Sequence, residues 1–227
     1  MSPELRSDMF NVRTGEAGII DLFEAHVEQY IGKIDTIFHE KESDFMHVDV
    51  HVIPPDEASH RNFYTCVTSG MSDIPMSVPP GCEPLQHAEL LICLPQNWPM
   101  TKEDFIESED NYWPLRWLKE LARYPYQADT WLGVDHSVPN GDPPEPLGQN
   151  TTMSGMLIGF PIFFDPGVFK LEVNDEKTIQ FLQLFPVYES EMEYKLAHDA
   201  EKLWDRFFQK YGEHMEMLVD PNREPVA

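Results

Sequence analysis

From Phe45 to Asp73 apolar residues recur at every second position, break at a turn, and resume. A chain with that pattern must lay a pair of strands against a core. Met46, Val48, Val50 and Val52 fall on one side of an extended backbone and His47, Asp49 and His51 on the other, because successive side chains of a strand point to opposite faces. Pro54-Pro55-Asp56 interrupts the run, and Arg61 to Val67, rich in aromatic and β-branched residues, forms the second strand. The hairpin leaves through Thr68-Ser69-Gly70-Met71-Ser72-Asp73. Gly70 permits a positive φ there, and Ser69, Ser72 and Asp73 are expected to bond local backbone groups as turn formers.

Around this hairpin the spacing predicts three amphipathic helices. Ile19, Leu22, Phe23, His26, Val27, Tyr30 and Ile31 make one apolar stripe, closed by Gly32; Trp117, Leu118, Leu121 and Ala122 make a second, with Pro114 in its first turn and Pro125 at its end. Trp113 and Trp117 are expected to be core anchors. A single final helix opens at a Ser190-x-x-Glu193 capping box and carries Met192, Leu196, Ala200, Leu203, Phe207 and Tyr211 to Gly212. Glu89 to Leu94 is nearly unbroken apolar and reads as an interior strand covered on both faces. Gly155 to Phe164 and Ile179 to Phe185 add two strands, with a possible further one at Phe169 to Val173 and a turn at Asn174-Asp175. Asp73 to Gln86 and Val138 to Pro146 are proline-rich surface loops. The expected fold is α+β: a mixed, largely antiparallel sheet of 46–53, 61–68, 88–94, 155–163 and 179–185 packed against amphipathic helices. Residues 1–14 are expected to be flexible, 15–214 to form one domain, and 215–227 to be a fraying tail.

Cys66, Cys82 and Cys93 form no Cys-x-x-Cys pair, so neither a disulfide framework nor a zinc knuckle is encoded, and Cys66 and Cys93 read as buried small hydrophobes. The sequence has no charged start followed by an apolar run and no stretch of about 18 apolar residues, which leads to the expectation of a cytoplasmic protein without a membrane partner. Forty acidic residues against sixteen basic ones give a formal charge of −24. Such a surface repels a phosphate backbone and attracts a cationic protein. The same acidity serves solubility.

The succession Tyr64 to Asp73, Ala88 to Pro95, Trp117 to Pro125, Thr130-Trp131-Leu132 and Pro186 to Glu191 resembles the suppressor-of-fused domain family, bacterial branch, over roughly Ile20 to Tyr211. The resemblance implies binding rather than turnover. Its animal branch holds a transcription factor through protein contacts, with a further domain that this chain is too short to contain. Its bacterial members resemble immunity proteins that neutralise secreted toxins, many of which attack nucleic acid.

Three constellations could carry chemistry. His47, Asp49 and His51 share a strand face and could approach a zinc or iron ion, but residues i and i+4 of a strand lie about 13 Å apart, too far for both imidazoles to reach one ion. They are expected instead on a solvated polar face. Thr-Ser-Gly-Met-Ser-Asp lacks the first glycine of a nucleophile elbow, and no phosphate-binding glycine loop occurs, so no cofactor is expected. Residues 101–150 hold ten acidic residues against four basic, beside Tyr112, Trp131 and the proline loop. An aromatic among carboxylates suits recognition of a cationic protein, and Trp131, Asp135, Asp142 and Glu145 are the candidate interface. The reading is a non-enzymatic immunity-type protein whose acidic surface covers a toxin. One alternative is an intracellular regulator that captures an extended peptide along a sheet edge; another is a metal-assisted hydrolase using His47, Asp49 and His51.

Overall fold

The computed structural model describes residues 17–41, 43, 45–59, 61–212 and 218–227; the expected flexible segment 1–14 lies outside them. In chain order the elements are α1 (Ala17–Tyr30), β1 (Thr36–Phe38), β2 (Asp49–Ile53), β3 (Phe63–Ser69), β4 (Ala88–Pro95), α2 (Lys102–Glu107) and α3 (Glu109–Gln127). There follow β5 (Ser137–Pro139), β6 (Gly155–Gly159), β7 (Lys170–Glu172), β8 (Thr178–Val187), α4 (Glu189–Ala197) and α5 (Ala200–Tyr211). Among the described residues the strands form one eight-stranded sheet in the order β1-β2-β3-β4-β8-β6-β5, with β7 also paired to β8. Every pairing is antiparallel except β4 with β8, so the mixed, largely antiparallel sheet expected from the sequence is what forms.

Alternation assigns the two faces. Val50 and Val52 of β2, Leu90, Ile92 and Leu94 of β4, and Leu182 and Leu184 of β8 pack with Trp113, Trp117, Leu118 and Leu121 of α3 in the main core. Ile53, Val67, Leu91, Cys93 and Phe181 point the other way and meet Phe23, Val27 and Ile31 of α1. At the far end of that second face Leu157, Phe185 and Val187 meet Leu203 and Phe207 of α5. Both faces are therefore covered, which explains why Ala88 to Leu94 is buried at every position.

Several boundaries depart from the sequence reading for physical reasons. The β2–β3 ladder begins at Asp49↔Ser69 because β3 ends there in its turn, although Met46 and Val48 are still buried. Strand β6 stops at Gly159 rather than residue 163, since Pro161 lacks an amide hydrogen and the chain turns, Phe164 N–H donating to the Pro161 carbonyl at 3.1 Å. Helix α3 begins at Glu109, capped by Ser108, so Pro114 is interior rather than in the first turn; the Asp110 carbonyl it leaves free accepts from Asn150 Nδ2 at 3.3 Å. The final helix is two helices. His198 ends α4, and Asp199 caps α5 by accepting from Lys202 N–H at 2.8 Å. The first cap also shifts: the Glu191 carboxylate accepts from the Tyr188 amide at 2.9 Å, and Ser190 Oγ donates instead to the Ala227 carbonyl at 2.8 Å. Residues 218–227, expected to fray, are bonded along their length: Val219 is buried and its N–H donates to the Cys93 carbonyl at 3.0 Å.

Candidate functional site

The hairpin exit is held by a residue that the sequence pattern passed over. Glu89, buried in β4, accepts from the Gly70 amide (3.0 Å) and the Ser72 amide (2.9 Å) at Oε1 and from the Thr68 hydroxyl (2.6 Å) at Oε2. Gly70 has φ 109°, and a Cβ there would lie 2.0 Å from the His47 carbonyl oxygen, so both conformation and space demand glycine. Burial pushes the Glu89 carboxyl up to about 7, hydrogen bonds from Thr68 and Ser72 working against that shift and Asp73 adding to it. A carboxylate inside an apolar run was the available signal: a charge in a strand covered on both faces must have dedicated partners. Ser69, expected to bond local backbone, instead lies with Oγ 2.9 Å from His51 Nε2.

The proposed metal trio does not assemble. His51 sits under α1, 1% exposed, its ring 5.0 Å from that of Phe23, and burial pulls its pKa down to about 4. The solvated polar face expected for it is thus covered by a helix. Asp49 lies between His39 Nδ1 and His47 Nε2, 2.8 Å from each. Its burial opposes ionisation, but the Glu40 amide, His39 and His47 outweigh it and hold the carboxyl low. Among the described residues no group of three His, Cys, Asp or Glu side chains is arranged to hold a metal ion. Cys66 and Cys93 are buried, and burial pushes both thiols up, Cys93 to about 12.

Trp131, Asp135, Asp142 and Glu145 flank β5, the strand at the end of the sheet, which the sequence reading took for loop. Asp135 precedes it, with φ 69° and Oδ1 accepting from Trp204 Nε1 of α5 at 2.7 Å. Trp131 is half-buried, its ring 4.6 Å from that of His136. Asp142 and Glu145 are exposed in the following loop. Asn140 ties that loop across, its side-chain amide donating to the Glu145 and Pro146 carbonyls at 2.9 Å each and its carbonyl accepting from Glu145 N–H at 2.7 Å. One cation stands among these acids: Lys195 Nζ donates to Ser137 Oγ at 3.0 Å, and burial lowers its pKa against the pull of Asp135. The ladder to β6 uses His136 and Asn140, so by antiparallel alternation Ser137 and Pro139 face outward. Pro139 has no amide hydrogen, and this edge offers one donor.

Against known families, the model for "Suppressor of fused protein (SUFU)" matches residues 45–224. No curated protein matches the sequence. Among solved structures, the chain is similar to that titled the Sufu-Fu complex (TM-score 0.63, 15% identity, covering 95% of this chain and 93% of that one). It is also similar to a suppressor-of-fused homologue of Neisseria gonorrhoeae FA 1090 (TM-score 0.55, 18% identity, 92% of this chain and 94% of that one). Drosophila Suppressor of Fused gives a TM-score of 0.61 at 14% identity, over 92% of this chain and 50% of that one. These identities carry the fold and no more. No helix among the described residues is long and apolar enough to cross a membrane.

Proposed function

The chain belongs to the suppressor of fused protein family, and from that premise we propose that it works by binding another protein, without a chemical step of its own. The concrete reading is an immunity-type protein: its acidic surface covers the basic groove of a toxin that attacks nucleic acid and excludes the substrate by occupancy. The observation that carries this reading is the pair Asp142 and Glu145, exposed on a loop that Asn140 has already ordered. Carboxylates presented on a fixed backbone lose little conformational freedom on binding, and a formal charge of −24 speeds encounter with a cationic surface. The related structure titled the Sufu-Fu complex shows another protein of this fold in a complex. The metal-assisted hydrolase is not carried further, because His51 is buried under α1 and Asp49 is taken up by His39 and His47. Capture of an extended peptide along a sheet edge is the second binding reading; at the β5 edge Pro139 leaves a single outward amide for a mode that depends on main-chain bonds, which leaves β1, the strand at the other end of the sheet, as its place.

The test is a search of the neighbouring reading frames for a secreted modular toxin, followed by co-expression of this chain with the toxin domain of any such protein. Cells carrying both survive, and cells carrying the toxin domain alone die. Equal killing with and without the chain, at verified expression, removes the immunity reading.

A further inference from the structure

We propose that residues 218–227 occupy, in cis, an arginine-binding site at the junction of β8, α4 and α5, and that its ligand in trans is an extended arginine-bearing segment of a cationic partner protein. The second half rests on the binding reading above.

The site is a cage for one guanidinium. Glu191 of α4 has no exposed surface, and its two oxygens take both arms of the Arg223 fork, at 2.6 and 2.5 Å. The Pro186 carbonyl at the end of β8 accepts a third bond at 2.9 Å. The rings of Tyr188 and Phe207 lie 4.8 and 5.1 Å from the guanidinium carbon. Carboxylate fork, carbonyl and two aromatic faces together favour arginine over lysine, whose compact ammonium cannot match the planar two-point fork or lie flat on a ring.

Beyond the arginine, the site reads backbone. The Tyr188 hydroxyl donates to the Arg223 carbonyl, Arg206 to that of Val226 at 3.0 Å, Lys210 to that of Pro225 at 3.1 Å, and Ser190 to that of Ala227 at 2.8 Å. In return the Val226 amide donates to Glu191 Oε1 at 2.9 Å. Lys210 and the Tyr211 hydroxyl also donate to the Glu224 carbonyl, at 3.3 and 3.2 Å, and Lys210 pairs with the Glu224 carboxylate at 3.3 Å. One buried side chain specified and five successive carbonyls held is how a groove reads an extended peptide. Every holding group lies in 186–211, on elements the strap does not build. Residues 220–227 can leave while Val219 stays anchored against β4. A buried carboxylate does not stand unpaired, so the strap departs in exchange for another arginine rather than by simple opening.

The probe is a fluorescein-labelled peptide of the strap's own sequence, Asp-Pro-Asn-Arg-Glu-Pro-Val-Ala, titrated into the full chain bearing R223A. Saturable binding at least tenfold tighter than to the parent chain is expected. Replacing the peptide's arginine by lysine, or adding E191Q to the chain, should each weaken it at least tenfold. Absence of saturable binding to folded R223A, or indifference to both changes, overturns the proposal. Should R223A fail to fold, hydrogen exchange on the unaltered chain decides: excess strap peptide should speed exchange of the Val226 amide, which donates to Glu191, at least tenfold, and a rate indifferent to the peptide overturns the exchangeable strap. A dimer joined by exchanged straps would make a second copy the occupant and overturn the partner assignment. The titration contains no partner, so loss of the immunity reading and loss of the cage are separate results.

Discussion

Two buried ionisable side chains, Glu89 and His51, give opposite responses to acid. Glu89 has its pKa raised by burial, to about 7 from an ordinary 4.5; between these values the native state binds a proton that the unfolded chain releases, so its contribution is fully present below pH 4.5 and is lost as pH rises through 7. His51 has its pKa lowered by burial, to about 4 from 6.5; the unfolded chain takes the proton first, so stability is lost as pH falls from 6.5 towards 4. The two slopes oppose one another over most of that window. Glu89→Gln is expected to leave the His51 slope bare, so that the variant weakens with acid by an amount on the order of 3 kcal/mol. His51→Gln should do the reverse and gain a comparable amount on the way down from pH 7. Urea midpoints across pH 4 to 8 check both, and parallel profiles for the two variants would refute the opposition. Gly70→Ala, with its Cβ 2.0 Å from the His47 carbonyl, should be destabilised by more than about 2 kcal/mol, read from the same titrations. Of these residues Gly70 was legible in the sequence, because a turn between strands demands a particular backbone. His51 was not, because its role depends on which side of a strand a distant helix covers, and alternation gives two faces without saying that both are buried. Glu89 carried a signal, a carboxylate in an apolar run, but its partners at the hairpin exit are set by the pairing of β3 with β4.

At the scale of elements, the apolar stripes located α1, α3 and the last helical region, because each must turn one face to the sheet. Periodicity continued unbroken through His198-Asp199, however, since Met192 of α4 and Leu203 and Phe207 of α5 pack on the same end of the sheet, whereas Leu196, expected in the buried stripe, is exposed beside the break. What separates them is a cap, and Asp199 followed by Ala-Glu-Lys was the local sign. Asp199→Ala is expected to lower stability by about 1 kcal/mol, as a drop in thermal midpoint, whereas Asp199→Asn should retain most of it. Strand β5 was hidden for the opposite reason. Three residues ending in proline carry no periodic signal, and the strand exists because β6 supplies its partner. In α3, Asn150 holds both the Asp110 carbonyl and, through Oδ1 at 3.2 Å, the Trp113 indole N–H. Asn150→Ala should therefore lose about 1 to 2 kcal/mol and alter tryptophan fluorescence, since a buried indole is left without an acceptor.

The formal charge of −24 was readable by counting, but its arrangement over the whole molecule required the fold. Not every candidate carboxylate is equally free to steer a partner. Asp135 fastens Trp204 to the β5 end of the sheet, so reversing its charge would disturb α5 and confuse binding with folding. Asp142 and Glu145 stand exposed on a loop whose ties are made by the Asn140 side chain and main-chain groups, so Asp142→Lys with Glu145→Lys alters the field while leaving those ties in place. With a verified cationic partner, this double reversal is expected to slow association several-fold at low salt and to flatten its dependence on ionic strength. Dissociation should change less, because rim charges act on encounter more than on the packed complex. Stopped-flow association at a series of salt concentrations separates these outcomes. Unchanged association rates with folded protein would place the partner elsewhere on the surface, whereas a change confined to dissociation would mean that the two carboxylates are buried contacts rather than a steering rim.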